Sequence, residues 1–343
     1  MKKYIIILSL ILAGAFCLIF VLVGHSDPET LIIGQQRQYS GISVHLEDTI
    51  RFPGTISTMD IGDGILYGYV NQQKWLYRYD LTHRTIDSLL YIPTIFTGIL
   101  SGVAMDPVTS SFYFLTARAN KIYGYHPQNA GKDSVVGRKD SLSGGSIHLA
   151  GGDKCFNHPG FIIRFVDSGT SLTGLKLVDF LQQKDTTIYT FTHYPDGGIS
   201  EDGFFRKDRA SNKHFYIPYY NAEIIQYDEA KNKLSKIITI DKTVPFNCTV
   251  STGDGYAISG RSRMINIAAA TDSAHLYLLS YTSSPGKNER KGTVVDIYST
   301  ITGKYENSLQ FPYFEGHPVT LLDRSGDRLF VAFDNTILSY KIQ

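Results

Sequence analysis

The residues best placed to do chemistry in this sequence are Ser200, Glu201 and Asp202, which run into Gly203 and the apolar pair Phe204-Phe205. A polar triplet ahead of an apolar run reads as the entry to an inner strand. At a channel mouth, two adjacent carboxylates could hold a cation or accept hydrogen bonds from a substrate. A surface turn uses the same residues, because Asp and Gly suit turn backbones. Tyr219-Tyr220-Asn221 and Arg261–Arg263 offer aromatic and cationic recognition groups, with a pleated aromatic face and a charged loop as the plainer readings. Five histidines, His148, His158, His193, His214 and His317, are scattered along the chain. Gathered on one axis they would suit a transition metal; at strand ends and turns they would be partly solvated and bind none. Ser200, Glu201, Asp202, Tyr219, Tyr220, Arg261 and His317 are therefore the ligand-binding candidates, and no metal site and no cofactor is expected.

Sequence-local catalytic patterns are absent. There is no His-Glu-x-x-His, no Gly-x-Ser-x-Gly, no phosphate-binding Gly-x4-Gly-Lys-Ser/Thr and no Cys-x-x-Cys. The stretch Gly198-Ile199-Ser200-Glu201-Asp202 fails as a nucleophile elbow at its fifth residue. Asp63-Gly64 and the run Asp323-Arg324-Ser325-Gly326-Asp327 have spaced oxygens like those of calcium loops, but hairpins use the same residues. Cys155 and Cys248 could pair in an oxidising compartment; two free thiols are the alternative.

The elements that must position these residues are strands. Twenty-three Tyr and 19 Phe against four Met favour half-buried pleated surfaces over helix. Apolar runs such as ILYGYV, KWLYRYD, FIIRFVD, HFYIPYY and LFVAF alternate with Gly/Asp/Asn breaks, which reads as short strands joined by tight turns. Taking Tyr79, Tyr125, Phe165, Tyr227, Ile297 and Tyr340 as markers of successive third strands gives intervals of about 40 to 70 residues, against roughly 40–50 for a four-stranded propeller blade. Inserts at Asp185–Lys207 and Pro285–Gly292 account for the long intervals. Six markers predict an all-β, six-bladed β-propeller, with seven blades open. The last unit, from His317, holds three strands, so Ser43–Phe52 is expected to supply its fourth and close the ring.

The stretch Gly102-Val103-Ala104-Met105-Asp106-Pro107, then Phe112-Tyr113-Phe114, then Asn120 to Tyr125, resembles one blade of six-bladed propellers of the NHL, YWTD and TolB-like groups. The run from Gly198 to Asp228 makes the whole chain similar to membrane-anchored or lipoprotein propellers of Bacteroidota. Six Asp-Ser/Thr triplets, among them Asp48-Thr49-Ile50 and Asp87-Ser88-Leu89, resemble the O-glycosylation acceptor of exported proteins from that group; a loop turning into a strand gives the same triplet.

The N-terminus divides the chain into residues 1–24 as anchor, 25–42 as linker and 43–343 as propeller. Lys2 and Lys3 precede an apolar run from Ile5 to Val23, about 28 Å as a helix and close to the hydrocarbon thickness of a bilayer. That length favours a retained transmembrane helix over a cleaved signal peptide, and the lysines place the propeller on the extracytoplasmic side. A lipoprotein acylated at Cys17 is the alternative, disfavoured by the large Phe16 before it. With 33 basic and 32 acidic residues in all, nothing steers a polyanion, so nucleic acid is excluded as a partner. The expected function is an exported, membrane-anchored, monomeric scaffold that binds a protein or small molecule. The alternative is a periplasmic metal-dependent hydrolase or lactonase-like enzyme with its site at the propeller channel.

Overall fold

A computed structural model describes residues 37–39, 41–62, 64–92, 100–106, 111–116, 121–125, 147–155, 160–167, 169–179, 182, 184–192, 194–208, 210–260, 262, 264–280 and 292–343. Among them no helix is long and apolar enough to cross a membrane; the expected anchor and Cys17 lie outside the described residues.

The strands follow one another as antiparallel meanders. After β1 (Val44–Arg51), the first sheet is β2 (Ile56–Gly62), β3 (Ile65–Val70), β4 (Trp75–Asp80) and β5 (Thr85–Tyr91). A three-stranded sheet follows, from β6 (Leu100–Asp106), β7 (Ser111–Thr116) and β8 (Lys121–Tyr125). The next two sheets are β9 (Ile147–Lys154), β10 (Phe161–Asp167), β11 (Leu172–Asp179) and β12 (Lys184–Thr190), then β13 (Gly203–Asp208), β14 (Lys213–Pro218), β15 (Glu223–Asp228) and β16 (Lys233–Ile238). A two-stranded ribbon, β17 (Thr249–Ser251) and β18 (Tyr256–Ile258), interrupts the series. Then come β19 (Asn266–Thr271), β20 (His275–Ser280), β21 (Gly292–Ser299) and β22 (Tyr305–Pro312), and finally β23 (Leu321–Ser325), β24 (Arg328–Phe333) and β25 (Thr336–Ile342). Tight hairpins need left-handed backbone, and Asn212 (φ 53°), Asn232 (φ 47°) and Asp334 (φ 55°) supply it with residues that tolerate it.

Side chains alternate across a strand, and in the middle strands both faces are buried against different neighbours. In β14, Phe215 and Ile217 pack on β19–β21, while Tyr216 packs the other way, against Leu175 of β11. In β20, Leu278 faces β14 and β15 whereas Leu279 faces β24 and β25. This explains runs such as HFYIP and HLYLLS, which read as continuously apolar. Further clusters join Met59 and Leu66 to Phe330 and Ile337, Tyr67 and Tyr69 to Phe112 and Phe114, and Leu115 to Ile163. Ala268, Ala269 and Ala270 on β19 keep an inner strand thin where the sheets converge.

Closure matches the sequence reading. β1 pairs antiparallel with β25 from Val44↔Ile342 to Arg51↔Thr336, and Ser43 and Gln343 exchange backbone hydrogen bonds of 3.2 and 3.0 Å. Ile50 and Phe52 are buried with Ile56 and Met59, so this strand couples the last sheet to the first.

The blade count is a correction. The described residues form five four-stranded blades, not six, and the sheet of β6–β8 has three strands. Phe165 lies on the second strand of its sheet, β10; the third, β11, carries no aromatic, so the aromatic marker was misplaced there. The supposed insert Asp185–Lys207 is the end of β12, a connection through residues 191–202 and the start of β13, and further extra length lies in residues 239–265, which carry the ribbon. The other predicted insert falls mostly on residues outside the described ones.

Of the residues expected as a tether, Arg37 and Gln38 bind the outer part of the β19–β22 sheet. Arg37 Nε and Nη2 donate to Asp296 Oδ1 and Oδ2 at 2.8 and 2.9 Å, and Ser308 N donates to Gln38 O at 2.8 Å.

Candidate ligand-binding site

β2, β9, β13, β19 and β23 stand at the inner edges of the five four-stranded sheets and contact in the order β9–β13–β19–β23–β2, with β6 beside β9. They enclose a cavity of about 730 Å³, within the range of small-molecule sites. Its wall is strongly charged: Asp60, Asp153, Asp272 and Asp323 face Arg206 and Arg324. Arg324 is committed, 2.9 Å from Asp272 Oδ2 and over the Tyr277 ring at 4.6 Å from its centroid. Lys207 is also committed, to Asp153 at 3.1 Å. Arg206 differs. Its Nε donates to Ala269 O at 2.6 Å and its Nη2 to Leu322 O at 3.5 Å, and among the described residues no carboxylate lies within ion-pair range. The guanidinium is held in place by backbone of two neighbouring sheets and makes no direct ion pair among the described residues.

Ser200 and Glu201 do not line this cavity; they are 1% and 3% exposed. Asp196-Gly197-Gly198 turns the chain, with Asp196 accepting from Gly198 N and Ser200 N at 2.9 Å each. Gly198 has φ +86°, and a Cβ there would lie 2.7 Å from Thr173 Cγ2, so only glycine fits. Ser200 Oγ donates to Asp196 and accepts from Cys248 N at 2.8 Å, which fixes the start of the ribbon segment. Arg164, itself buried, donates to Gly198 O and lies 3.4 Å from Asp202 Oδ1. Asp202 thus pairs with Arg164 rather than Arg206, and it is the half-exposed member of the triplet. Glu201 is buried, and Asp202 keeps a partly exposed carboxylate.

Burial pushes Glu201 from the usual 4.5 up to about 7, with Arg164 opposing and Asp196 reinforcing the shift. Between those values the native state keeps a proton that the unfolded chain has lost. Stability from this group is therefore fully present below about 4.5 and falls as pH rises through 7, by on the order of 3 kcal/mol. Glu201→Gln is expected to remove that slope, so the variant gains on the wild type between pH 5 and pH 8. Urea unfolding at both pH values checks it; a difference between variant and wild type that stays constant with pH would contradict it.

The other candidates divide. Tyr219 lines the cavity, packs on Phe204 at 5.5 Å between centroids, and has its hydroxyl pushed up to about 12, first by burial and then by Asp202. Tyr220 is buried beside it. His317 is exposed in the β22–β23 connection, bridged to Phe314 through backbone, and is not part of the cavity wall. Arg261 lies outside the described residues, as do His158 and His193. Cys155 and Cys248 do not pair: both are buried free thiols, Cys248 with its sulfur 3.4 Å from Ser200 Oγ. Sequence reasoning missed Arg206 as a cavity group and Asp196 as the residue that organises the turn, although Asp-Gly-Gly is a legible turn signal.

No protein-family model matches the chain, and no curated protein matches it. Solved structures do. The chain is similar to the β-propeller domain of Cps50 (Swd1) from Myceliophteria thermophila, with TM-score 0.52 and 10% identity over 86% of this chain and 99% of that one. It is similar to virginiamycin B lyase from Staphylococcus aureus at TM-score 0.50 and 11% identity, over 88% and 99%. A DUF4221-family protein from Bacteroides vulgatus matches at TM-score 0.50 and 10% identity, over 90% and 99%. The chain is a β-propeller. At such identities the likeness carries the fold and no activity.

Proposed function

We propose that this propeller is a binding module whose central cavity takes a small polar solute bearing a carboxylate or phosphate. Arg206 carries the reading: a guanidinium positioned by backbone, with no carboxylate in ion-pair range among the described residues, faces a cavity of about 730 Å³ and offers its remaining donors to an anionic group. The aspartates on the same wall then offer acceptors to a ligand's hydroxyls or ammonium group, so the site favours zwitterionic or polyhydroxylated acids over simple anions. Residues 5–23 would hold the module at the outer face of a membrane, a reading that rests on their length and apolarity.

Isothermal titration of the full-length protein with citrate, inorganic phosphate and, as cationic control, putrescine tests this. At least one anionic probe should bind, and Arg206→Gln should weaken it about 10- to 100-fold, the worth of a charge-assisted hydrogen bond. Binding of putrescine alone, or of no probe, would sink the proposal. Retention in the membrane fraction after alkaline washing checks the anchor.

A further inference from the structure

We propose that Cys155, His214 and Glu229 form a buried site for a thiophilic divalent cation of the Zn2+ class, with Asp153 orienting the histidine. One ligand atom from each of the three lies within 4.8 Å of the other two, and the residues are 3%, 1% and 4% exposed. They come from separate elements. Cys155 directly follows β9, His214 is on β14, and Glu229 opens the β15–β16 turn, where its N–H donates to Asn212 O at 3.0 Å. A cation here would fasten two neighbouring sheets behind the cavity wall. The site does not depend on what the cavity binds.

The donor set selects the metal. Sulfur, nitrogen and oxygen donors together suit borderline-soft Zn2+, while Mg2+ and Ca2+ take oxygen alone. Ligand atoms around a tetrahedral zinc lie about 3.5 Å apart, so shifts of about an ångström would close this set. The surroundings are those of a histidine ligand. Nε2 of His214 is 3.2 Å from Glu229 Oε2, on the ligand side, and Nδ1 is 3.7 Å from Asp153 Oδ2 on the other. Asp153 is itself held by Lys207 at 3.1 Å. At 3.7 Å the Asp153 carboxylate stands behind the imidazole at ion-pair distance, and closing that gap by under an ångström would let it fix the ring's tautomer and orientation for a metal.

Charge also closes. A thiolate and a carboxylate cancel a divalent cation, and Asp153 is offset by Lys207, so the occupied site adds no net charge to the interior. Without a metal, His214 would bridge two carboxylates and Cys155 would be a small apolar filler against Ile162 and Tyr227. That arrangement has no need of sulfur at position 155.

The test uses the untagged full-length protein, stripped with chelator and titrated with Co2+ and then Zn2+. One equivalent of Co2+ should bind with thiolate-to-metal charge-transfer absorption in the near ultraviolet, and Zn2+ should bleach it. Cys155→Ser should abolish the band, and Cys248→Ser should leave it. Asp153→Asn should keep the band while weakening affinity about 10- to 100-fold, which keeps the proposal open to refutation should Cys155→Ser fail to fold. No band in the wild type, a band that survives Cys155→Ser, or unchanged affinity in Asp153→Asn overturns it.

Discussion

Deleting residues 43–52 should leave a protein that aggregates or melts far below the full chain. β1 is the outer strand of the last sheet, so its loss strips the β25 edge of its ladder from Thr336 to Ile342. It also removes Ile50 and Phe52, 2% and 3% exposed, from the cluster they share with Ile56, Met59, Phe330 and Ile337. Phe52 additionally covers the flat face of Gly68, where an added Cβ would come within 2.6 Å of its ring. Together these contacts are worth several kcal/mol against a total of about 5–15 kcal/mol for a domain. Ile50→Ala isolates the packing part and should cost about 2–5 kcal/mol. Thermal unfolding of both variants beside the full chain measures the effect. Equal melting temperatures for the deletion would rule out a closing role for β1.

The closing strand was legible because its evidence is additive along the chain: three strands after His317 leave one place empty, and one strand at the other end is unassigned. Strand identity was legible for the same kind of reason, since the double burial of β14, β20 and β24 writes itself as unbroken apolar runs. The blade count was not. It took the sheet marked by Tyr125 as a full blade, and among the described residues that sheet, β6–β8, has three strands; the third-strand aromatic also fails at β11, where Leu175 and Val178 do that packing. Any residue that fills the inter-sheet space serves there, so the marker was a habit of composition rather than a requirement of the fold.

The candidate site was legible only in part, for a different reason. Polar residues in a sequence advertise their chemistry but not which way the strand turns them. Ser200, Glu201 and Asp202 sit beside the inner strand β13 as expected, yet the Asp196 turn folds the first two inward and Arg206 is left to face the cavity. Cys155, His214 and Glu229 are separated by 59 and 15 positions, and they meet only because the β9 end and the β14–β15 hairpin belong to adjacent sheets. No local spacing rule could have joined them.

Arg37 is the other group no pattern marked, and its removal should rank with the largest single-residue losses in the chain. In sequence it lies in a polar stretch between an apolar segment and the first strand, where a cation reads as solvated. In the fold its side chain is 5% exposed and forms a two-pronged pair with Asp296, which is 1% exposed at its side chain. Ser308 Oγ donates to the same carboxylate at 2.6 Å, and Tyr305 hydroxyl lies 2.7 Å from Ser308 Oγ. Arg37→Ala would strand the Asp296 carboxylate in the interior with one hydroxyl for company, a change that costs about 3–5 kcal/mol for buried pairs. The pair itself contributes less than that figure, because bringing both charges out of water costs nearly what their attraction returns. Replacing both, as Arg37→Met with Asp296→Asn, should therefore recover most of the loss, and the double-mutant cycle should show strong coupling between the two positions. Urea unfolding of Arg37→Met, Asp296→Asn and the double variant supplies the cycle, with Arg37→Ala measured beside them. If Arg37→Ala falls within about 0.5 kcal/mol of the wild type, as for an ordinary surface site, the residue is a tether after all and the pair contributes nothing to the fold.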